Sequence, residues 1–344
     1  MVNAASSSIQ QNALCASSSS DGYPSSACTV STVSSSAFSS SSSFASNAMS
    51  CSSVVSMALG LLNASSPSCL RRVAEQGHRA AQYSLGNAYW HGRGVVQSYA
   101  DAVVWYRCAA EQGHGGAQCN LGSAYWLGQG GTQSDAEAVT WYGAAAKQGN
   151  AHAQHALGEA YWLGRGVTQS YVEAVAWYRC AAEQGHGDAE YNLGAAYWHG
   201  RGVAQSYVEA VTWIGAAAKR GNAYAQCALG EAYLYGRGIE QSDIEAVVWY
   251  RLAAEQGNAV AQHVLGGVYL YGVGVAQSSV TAVSWYEQAA EQGFEQAQLE
   301  LGKLYQTGEG DVAPHSGRAT YWLRRAALQG NEEASEALRA LNGS

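Results

Sequence analysis

Charge is scarce in this chain. Lys, Arg, Asp and Glu together make 13% of its 344 residues, about half the proportion of an ordinary soluble domain. The net charge of -8 is spread without a basic face, which excludes the electrostatic footprint of a nucleic-acid-binding protein. Long apolar runs are also missing. The longest candidate, Val54 to Leu62, is broken by Ser56 and Gly60 and falls well short of the roughly 20 residues a membrane span requires, so a soluble chain is expected. A disulfide framework is missing as well. Of the eight cysteines, Cys15, Cys28, Cys51 and Cys69 lie in a Ser-rich stretch. Cys108 and Cys180 share one register of a repeat, Cys119 and Cys227 another. No repeat carries a matched pair, so reduced thiols and an intracellular setting are expected. Residues 1–69 lack Lys and Arg altogether and hold one acid, Asp21, among serine tracts such as Ser17 to Ser20 and Ser39 to Ser43. Such a segment buries too little apolar surface to offset its ordering entropy, and a disordered tail is expected. Its want of arginine counts against a transit peptide, and its want of a basic start against a secretory signal.

What is present is repetition. The stretch Asn150 to Gly185, NAHAQHALGEAYWLGRGVTQSYVEAVAWYRCAAEQG, recurs when the sequence is shifted by 36 residues. Leu157-Gly158 then falls on Leu85-Gly86, Leu121-Gly122, Leu193-Gly194, Leu229-Gly230 and Leu265-Gly266. A fixed period of this length specifies a solenoid whose units share one continuous core. Six units run from 78 to 293, and a seventh, 294–330, carries one extra residue around Pro314. Before them, Ala58-Leu59-Gly60 echoes a first helix and Leu70 to Gly77 the end of a second, a degenerate N-terminal cap. After them, 331–344 begins another first helix with Glu332, Glu333 and Glu336 where apolar residues usually stand, as a C-terminal capping helix requires. The domain reading is a tail over 1–69, a solenoid over 70–330 and a cap over 331–344.

Within the central unit, Ala153, Leu157, Ala160 and Tyr161 fall on one helical face and predict a helix over 151–163. Gly158 lies beside that face, where a missing side chain lets a partner helix approach. Gly164 is a left-handed cap. Ser170 and Glu173 spell the capping box S-x-x-E, repeated at Ser98/Asp101, Ser134/Glu137, Ser206/Glu209 and Ser242/Glu245. A second helix over 171–183 follows, with Ala174, Trp177, Tyr178 and Ala181 toward the core. The fold class expected is an all-α solenoid of antiparallel helix pairs.

The collected pattern, A-x-x-x-L-G-x-x-Y-x-x-G-x-G-V-x-Q followed by A-x-x-W-Y-x-x-A-A-x-Q-G, resembles the Sel-one-like repeat, a relative of the tetratricopeptide repeat, over roughly residues 70 to 341. That resemblance implies helix pairs stacked in a right-handed superhelix and an adaptor that holds other proteins together. Serine follows the Gln where the family often has Asp, which keeps a capping residue. Some secreted family members carry a cysteine pair in each repeat and are linked to penicillin binding. Here those registers hold residues such as Ala182 and Gln154, so neither trait carries over.

No catalytic set is expected, because each polar residue type is strung out at the repeat interval and a nucleophile, a base and an orienter must converge. The G-x-G loops have no preceding strand and no following G-K-[ST], so they read as turns and not phosphate cradles. Arg93, Arg165, Arg201 and Arg237 lie inside them, either as an acid-binding edge or as solvated loop residues. With Leu157 as zero, His155 falls at about 160 degrees, Glu159 at about 200 and Trp162 at about 140, which points them away from helix two. The resemblance makes that side the concave one. The Trp162 register reads Trp90, Trp126, Trp162, Trp198, Leu234 and Leu270, and the next one His91, Leu127, Leu163, His199, Tyr235 and Tyr271. The expected binding surface is therefore an aromatic groove for a protein or peptide partner, lined by Tyr83, Trp90, Trp126, His155, Glu159, Trp162, Tyr191, Trp198, Glu231, Leu234 and Leu270. Packing of each Trp on the neighbouring first helix is the competing reading. The His155 register, with Tyr83, Cys119, Tyr191, Cys227 and His263, does not read as zinc-binding, because helices about 10 Å apart cannot bring such short side chains onto one ion. No cofactor and no metal are expected. The rival functional class is a secreted hydrolase or a cell-wall or carbohydrate-binding repeat protein.

Overall fold

The structure, a computed structural model, describes residues 67–343. The described residues form sixteen α-helices and no strand. A single helix, α1 (Pro67–Glu75), precedes seven pairs. These are α2 (Arg79–His91) with α3 (Tyr99–Glu111), α4 (Gly115–Leu127) with α5 (Asp135–Lys147), and α6 (Ala151–Leu163) with α7 (Tyr171–Ala182). Next come α8 (Gly187–His199) with α9 (Tyr207–Lys219), and α10 (Ala223–Tyr235) with α11 (Asp243–Glu255). The last pairs are α12 (Ala259–Tyr271) with α13 (Ser279–Glu291) and α14 (Glu295–Thr307) with α15 (Ser316–Leu328), followed by α16 (Glu332–Gly343). The tail and the echo of a first helix at Ala58-Leu59-Gly60 lie outside the described residues, although the last three residues assigned to the tail, 67–69, belong to α1. Two compact units divide between Ala181 and Ala182. In the first, helices α1 to α6 contact one another in sequence, and in the second α8 to α16 do the same.

The helix boundaries follow from local chemistry. Helix α6 starts where Asn150 Oδ1 accepts from the Ala153 N–H at 3.0 Å and stops at Gly164, whose φ of 69° is left-handed. Helix α7 starts where Ser170 Oγ accepts from the Glu173 N–H at 3.3 Å. The reciprocal half of the expected capping box is absent for a physical reason: the Ser170 N–H donates to the Tyr161 carbonyl at 3.0 Å, so no orphan donor remains for a carboxylate. Gln169 Nε2 donates to the adjacent Trp162 carbonyl at 2.8 Å. Two of the carbonyls orphaned at the end of α6 are thereby satisfied by the turn that follows. The same Gln bond recurs at Trp90, Trp126, Trp198, Leu234 and Leu270.

Ala153, Leu157 and Ala160 are buried, as the spacing predicts, in one cluster with Ala138, Tyr142, Ala145 and Ala146 of the preceding α5, and Ala174, Tyr178 and Ala181 of α7 are buried as well. Trp177, expected beside them in the core, is only half-buried; its neighbour Tyr178 fills the interior instead. A glutamine bridge ties successive helices together. Gln118 Nε2 donates to the Ala110 carbonyl at 3.1 Å, while its Oε1 accepts from Gln148 Nε2 at 2.7 Å. Equivalent bridges centre on Gln82, Gln226, Gln262 and Gln298. At the fourth repeat a buried Glu190 takes the glutamine's place, and Arg220 Nε lies 3.2 Å from both its carboxylate oxygens.

Candidate binding surface on the first helices

The position of each candidate follows from one close approach. A Cβ at Gly158 would lie 2.6 Å from the Tyr178 ring, so helix two crosses the first helix there, above the glycine. His155 and Trp162, three residues before and four after, share that stripe. The Tyr178 ring centroid stands 5.8 Å from His155 and 6.1 Å from Trp162. Trp162 also meets Tyr171 edge-on at 4.8 Å. Gly86, Gly122, Gly230 and Gly266 face Tyr106, Tyr142, Tyr250 and Tyr286 in the same way, with Cβ separations of 2.5 to 3.0 Å.

This corrects the expected orientation. Helix two approaches over Gly158 and not over Leu157, so residues about 140 to 160 degrees from Leu157 are only about 40 to 60 degrees from the true contact. Trp162, His155, Trp126, Leu234 and Leu270 are accordingly buried, and none of them is an exposed anchor. Trp126 is sealed from outside by Arg165, whose guanidinium lies 3.8 Å from the ring centroid and is held by both carboxylate oxygens of Asp135, at 2.7 and 3.1 Å.

Other candidates keep part of their surface. Trp90 and Trp198 are half-buried, each edge-on to a tyrosine of its own second helix, Tyr99 at 4.8 Å and Tyr207 at 5.1 Å. Tyr83 is half-buried and stacked on His114 at 4.4 Å; Tyr191 is half-buried, 6.2 Å from Tyr224. Glu159 Oε2 lies 3.9 Å from His155 Nδ1. Glu231 is paired with Arg237 at 3.1 Å; burial pushes its carboxyl pKa up and Arg237 opposes the rise. Polar groups at this register serve the tyrosine that crosses the glycine: Tyr106 donates to Asn87 Oδ1 at 2.7 Å, and Tyr142 lies 3.2 Å from Ser123 Oγ.

The side chains that do face outward sit one position further along. Leu127, Leu163 and Tyr271 are 37%, 48% and 41% exposed, and His91 and His199 are exposed beside them. Tyr224, at the start of α10, is exposed as well. Measured from Gly158 in place of Leu157, the sequence pattern would have selected these. The loop arginines divide: Arg165 and Arg237 are engaged as described, whereas Arg93 and Arg201 are exposed beside His91 and His199. Partial burial, and then the neighbouring arginine, lowers the pKa of each of these two histidines. Among the described residues no group of three or more His, Cys, Asp and Glu side chains gathers to metal-binding distance.

Seven segments, 79–114, 116–150, 151–186, 187–222, 223–258, 259–294 and 295–331, each match the model of the Sel1 repeat. The chain belongs to the Sel1 repeat family. A solved structure of c5321, a protective antigen present in uropathogenic Escherichia coli strains and displaying an SLR fold, is 39% identical with a TM-score of 0.73. That likeness covers 79% of this chain and 58% of the E. coli protein, so the match spans little more than half of its relative. A Sel1 repeat protein from Oxalobacter formigenes is 31% identical with a TM-score of 0.65, over 71% of this chain and 96% of its own. Comparison with curated proteins gives no match. Sel1 repeat proteins are generally protein-interaction scaffolds of the helical-repeat type, and their fold is typically non-catalytic. No helix among the described residues is long and apolar enough to cross a membrane.

Proposed function

We propose that this Sel1 repeat chain is a non-catalytic scaffold that holds a peptide or protein partner on the outward face of its first helices. The observation that carries the reading is the set of large apolar and aromatic side chains left in solvent at one register, Leu127 and Leu163 in the first unit and Tyr271 in the second. Half-buried Trp90 and Tyr83, with Glu159, flank this register in the first unit, and half-buried Trp198 and Tyr191, with Glu231, flank it in the second. Buried Trp126, Trp162, His155, Leu234 and Leu270 support that surface from beneath. Exposed aromatic and aliphatic anchors of this kind, rimmed by a few polar groups, carry most of the energy of peptide recognition.

The test uses the full chain to select from a displayed peptide library. Leu127→Asp with Leu163→Asp should keep the melting curve, since exposed substitutions shift stability by only about 0.5 kcal/mol, and should lose peptides retained by the first unit. Unchanged capture by this variant would remove the reading.

A further inference from the structure

We infer that the paired rings of Trp90 and Tyr99 form a subsite for the guanidinium of an arginine side chain on the bound partner, which rests on the scaffold reading for the partner and on the chain's own repeats for the chemistry. One repeat and three residues after Trp126, Trp162 and Trp198 stand Arg165, Arg201 and Arg237. Where Leu234 and Leu270 replace the tryptophan, the same place holds Val273 and Glu309. Trp90 alone breaks this pairing, because its counterpart is Gln129. In each compact unit one such arginine reaches its ring. The Arg165 guanidinium lies 3.8 Å from the Trp126 centroid, and that of Arg237 5.8 Å from Trp198. A cation at this range is attracted by the negative face of the indole, and a planar, weakly hydrated guanidinium suits it better than an ammonium.

The Trp90 site is built like the filled one at Trp198. The stretches WHGRGVVQSY (90–99) and WHGRGVAQSY (198–207) differ only at Val96 and Ala204. Gln97 Nε2 donates to the Trp90 carbonyl at 2.8 Å and to the Tyr99 hydroxyl at 3.1 Å, and Gln205 makes both bonds at the same distances to Trp198 and Tyr207. The two rings meet edge-on at 4.8 Å in the first case and 5.1 Å in the second. The loop that carries the arginine is seated alike as well. Gly130 lies against the Tyr99 carbonyl and Gly238 against the Tyr207 carbonyl, each too close to leave room for a side chain. Residue 129 therefore stands where residue 237 stands, and only its side chain differs. Arg93 does not bar a second cation, since Arg201 holds the same position beside Trp198 and Arg237 is accommodated there. What the Trp90 site lacks is a carboxylate. Asp135 holds Arg165 and Glu231 holds Arg237, but the corresponding residues here are Tyr99 and Ser123. The rings and the Gln129 amide oxygen are left to receive the guanidinium, so the subsite is weak alone and acts as one anchor beside exposed Leu127.

Titration of the full chain with N-acetyl-arginine amide, to about 100 mM at constant ionic strength, reads the site through the tryptophan indole N–H resonances. Trp90→Phe assigns the Trp90 signal. The expected result is a saturable shift of that resonance, absent with the neutral isostere N-acetyl-citrulline amide. Gln129→Arg should supply the guanidinium from within, move the Trp90 resonance before any probe is added, and weaken the response to the probe at least about fivefold. Unchanged helical content in this variant separates a filled site from a lost fold. A Trp90 resonance that the arginine probe leaves in place, or that the citrulline probe moves equally, overturns the inference. So does a Gln129→Arg chain that titrates like the wild type. Peptides captured from the library without any response to the probe would remove this subsite alone, whereas a probe response with no peptide captured would keep the subsite and remove the scaffold reading.

Discussion

Gly158 and Tyr178 show how one missing side chain sets the direction of everything near it. The glycine was legible in the sequence as a point of close approach; that a tyrosine ring would cross it and bury the flanking His155 and Trp162 was not. The periodicity of a single helix gives angles, but the zero of those angles belongs to the partner helix, which the pattern does not contain. Gly158→Ala should therefore destabilise by about 1 to 3 kcal/mol, as an overpacked core does. At Gly143, in the middle of α5, a methyl group would meet nothing within 4 Å, so Gly143→Ala should stabilise by about 0.5 to 1 kcal/mol through helix propensity. Urea titration of both variants measures the contrast, and equal signs would refute it. His263 makes a second residue-scale prediction. It is buried between Tyr286 and Phe294, its Nε2 has no hydrogen-bond partner, and burial pushes its pKa from 6.5 down to about 4. Because the folded value lies below the unfolded one, the unfolded chain binds the proton first. The contribution is intact above pH 6.5 and is lost as pH falls from there to about 4, by about 3 kcal/mol in all. His263→Phe should flatten the fall in melting temperature across that window relative to the wild type.

At the scale of the helix, α6 runs over the interval predicted for it and α7 ends within a residue of expectation, because caps and glycines are local signals. What the sequence could not show is which partner each capping group takes. The S-x-x-E spelling suggested a reciprocal box, yet the serine N–H reaches back to the tyrosine carbonyl of the preceding helix. The glutamines were recognisable only as repeats of themselves; their bridges need three helices in place before donor and acceptor meet. It follows that Ser170→Ala should cost about 0.5 to 2 kcal/mol through the lost cap, while Glu173→Gln, on an exposed side chain, should stay within about 0.5 kcal/mol. Equal losses in thermal melts would mean that the carboxylate completes the cap after all.

For the molecule as a whole, the 36-residue period carried the family and the all-helical architecture, since a unit that cannot bury its own apolar face must stack on its neighbour. The division between Ala181 and Ala182 has no counterpart in that period, which runs unbroken through it. Stacking also makes the last helix answerable for the surface beneath it. Helix α16 covers Leu299, Leu323 and Ala326 with Ala334, Ala337 and Leu338, keeps Glu332, Glu333 and Glu336 outward, and is pinned by Lys303 to Glu333 at 2.7 Å. Its capping Asn331 accepts from the Ala334 N–H at 2.8 Å. Removing residues 331–344 should therefore bare a leucine that is at present fully buried, Leu323, together with its neighbour Leu299. At about 25 cal/mol for each Å² returned to water, that is a loss of several kcal/mol, felt first by α14 and α15 because a repeat array passes stability only between neighbours. Hydrogen exchange should show α14 and α15 opening well before α8 to α11 in the truncated chain, with a fluorescent apolar dye binding at the new surface. Uniformly faster exchange through the whole second unit would show instead that it unfolds as one cooperative block.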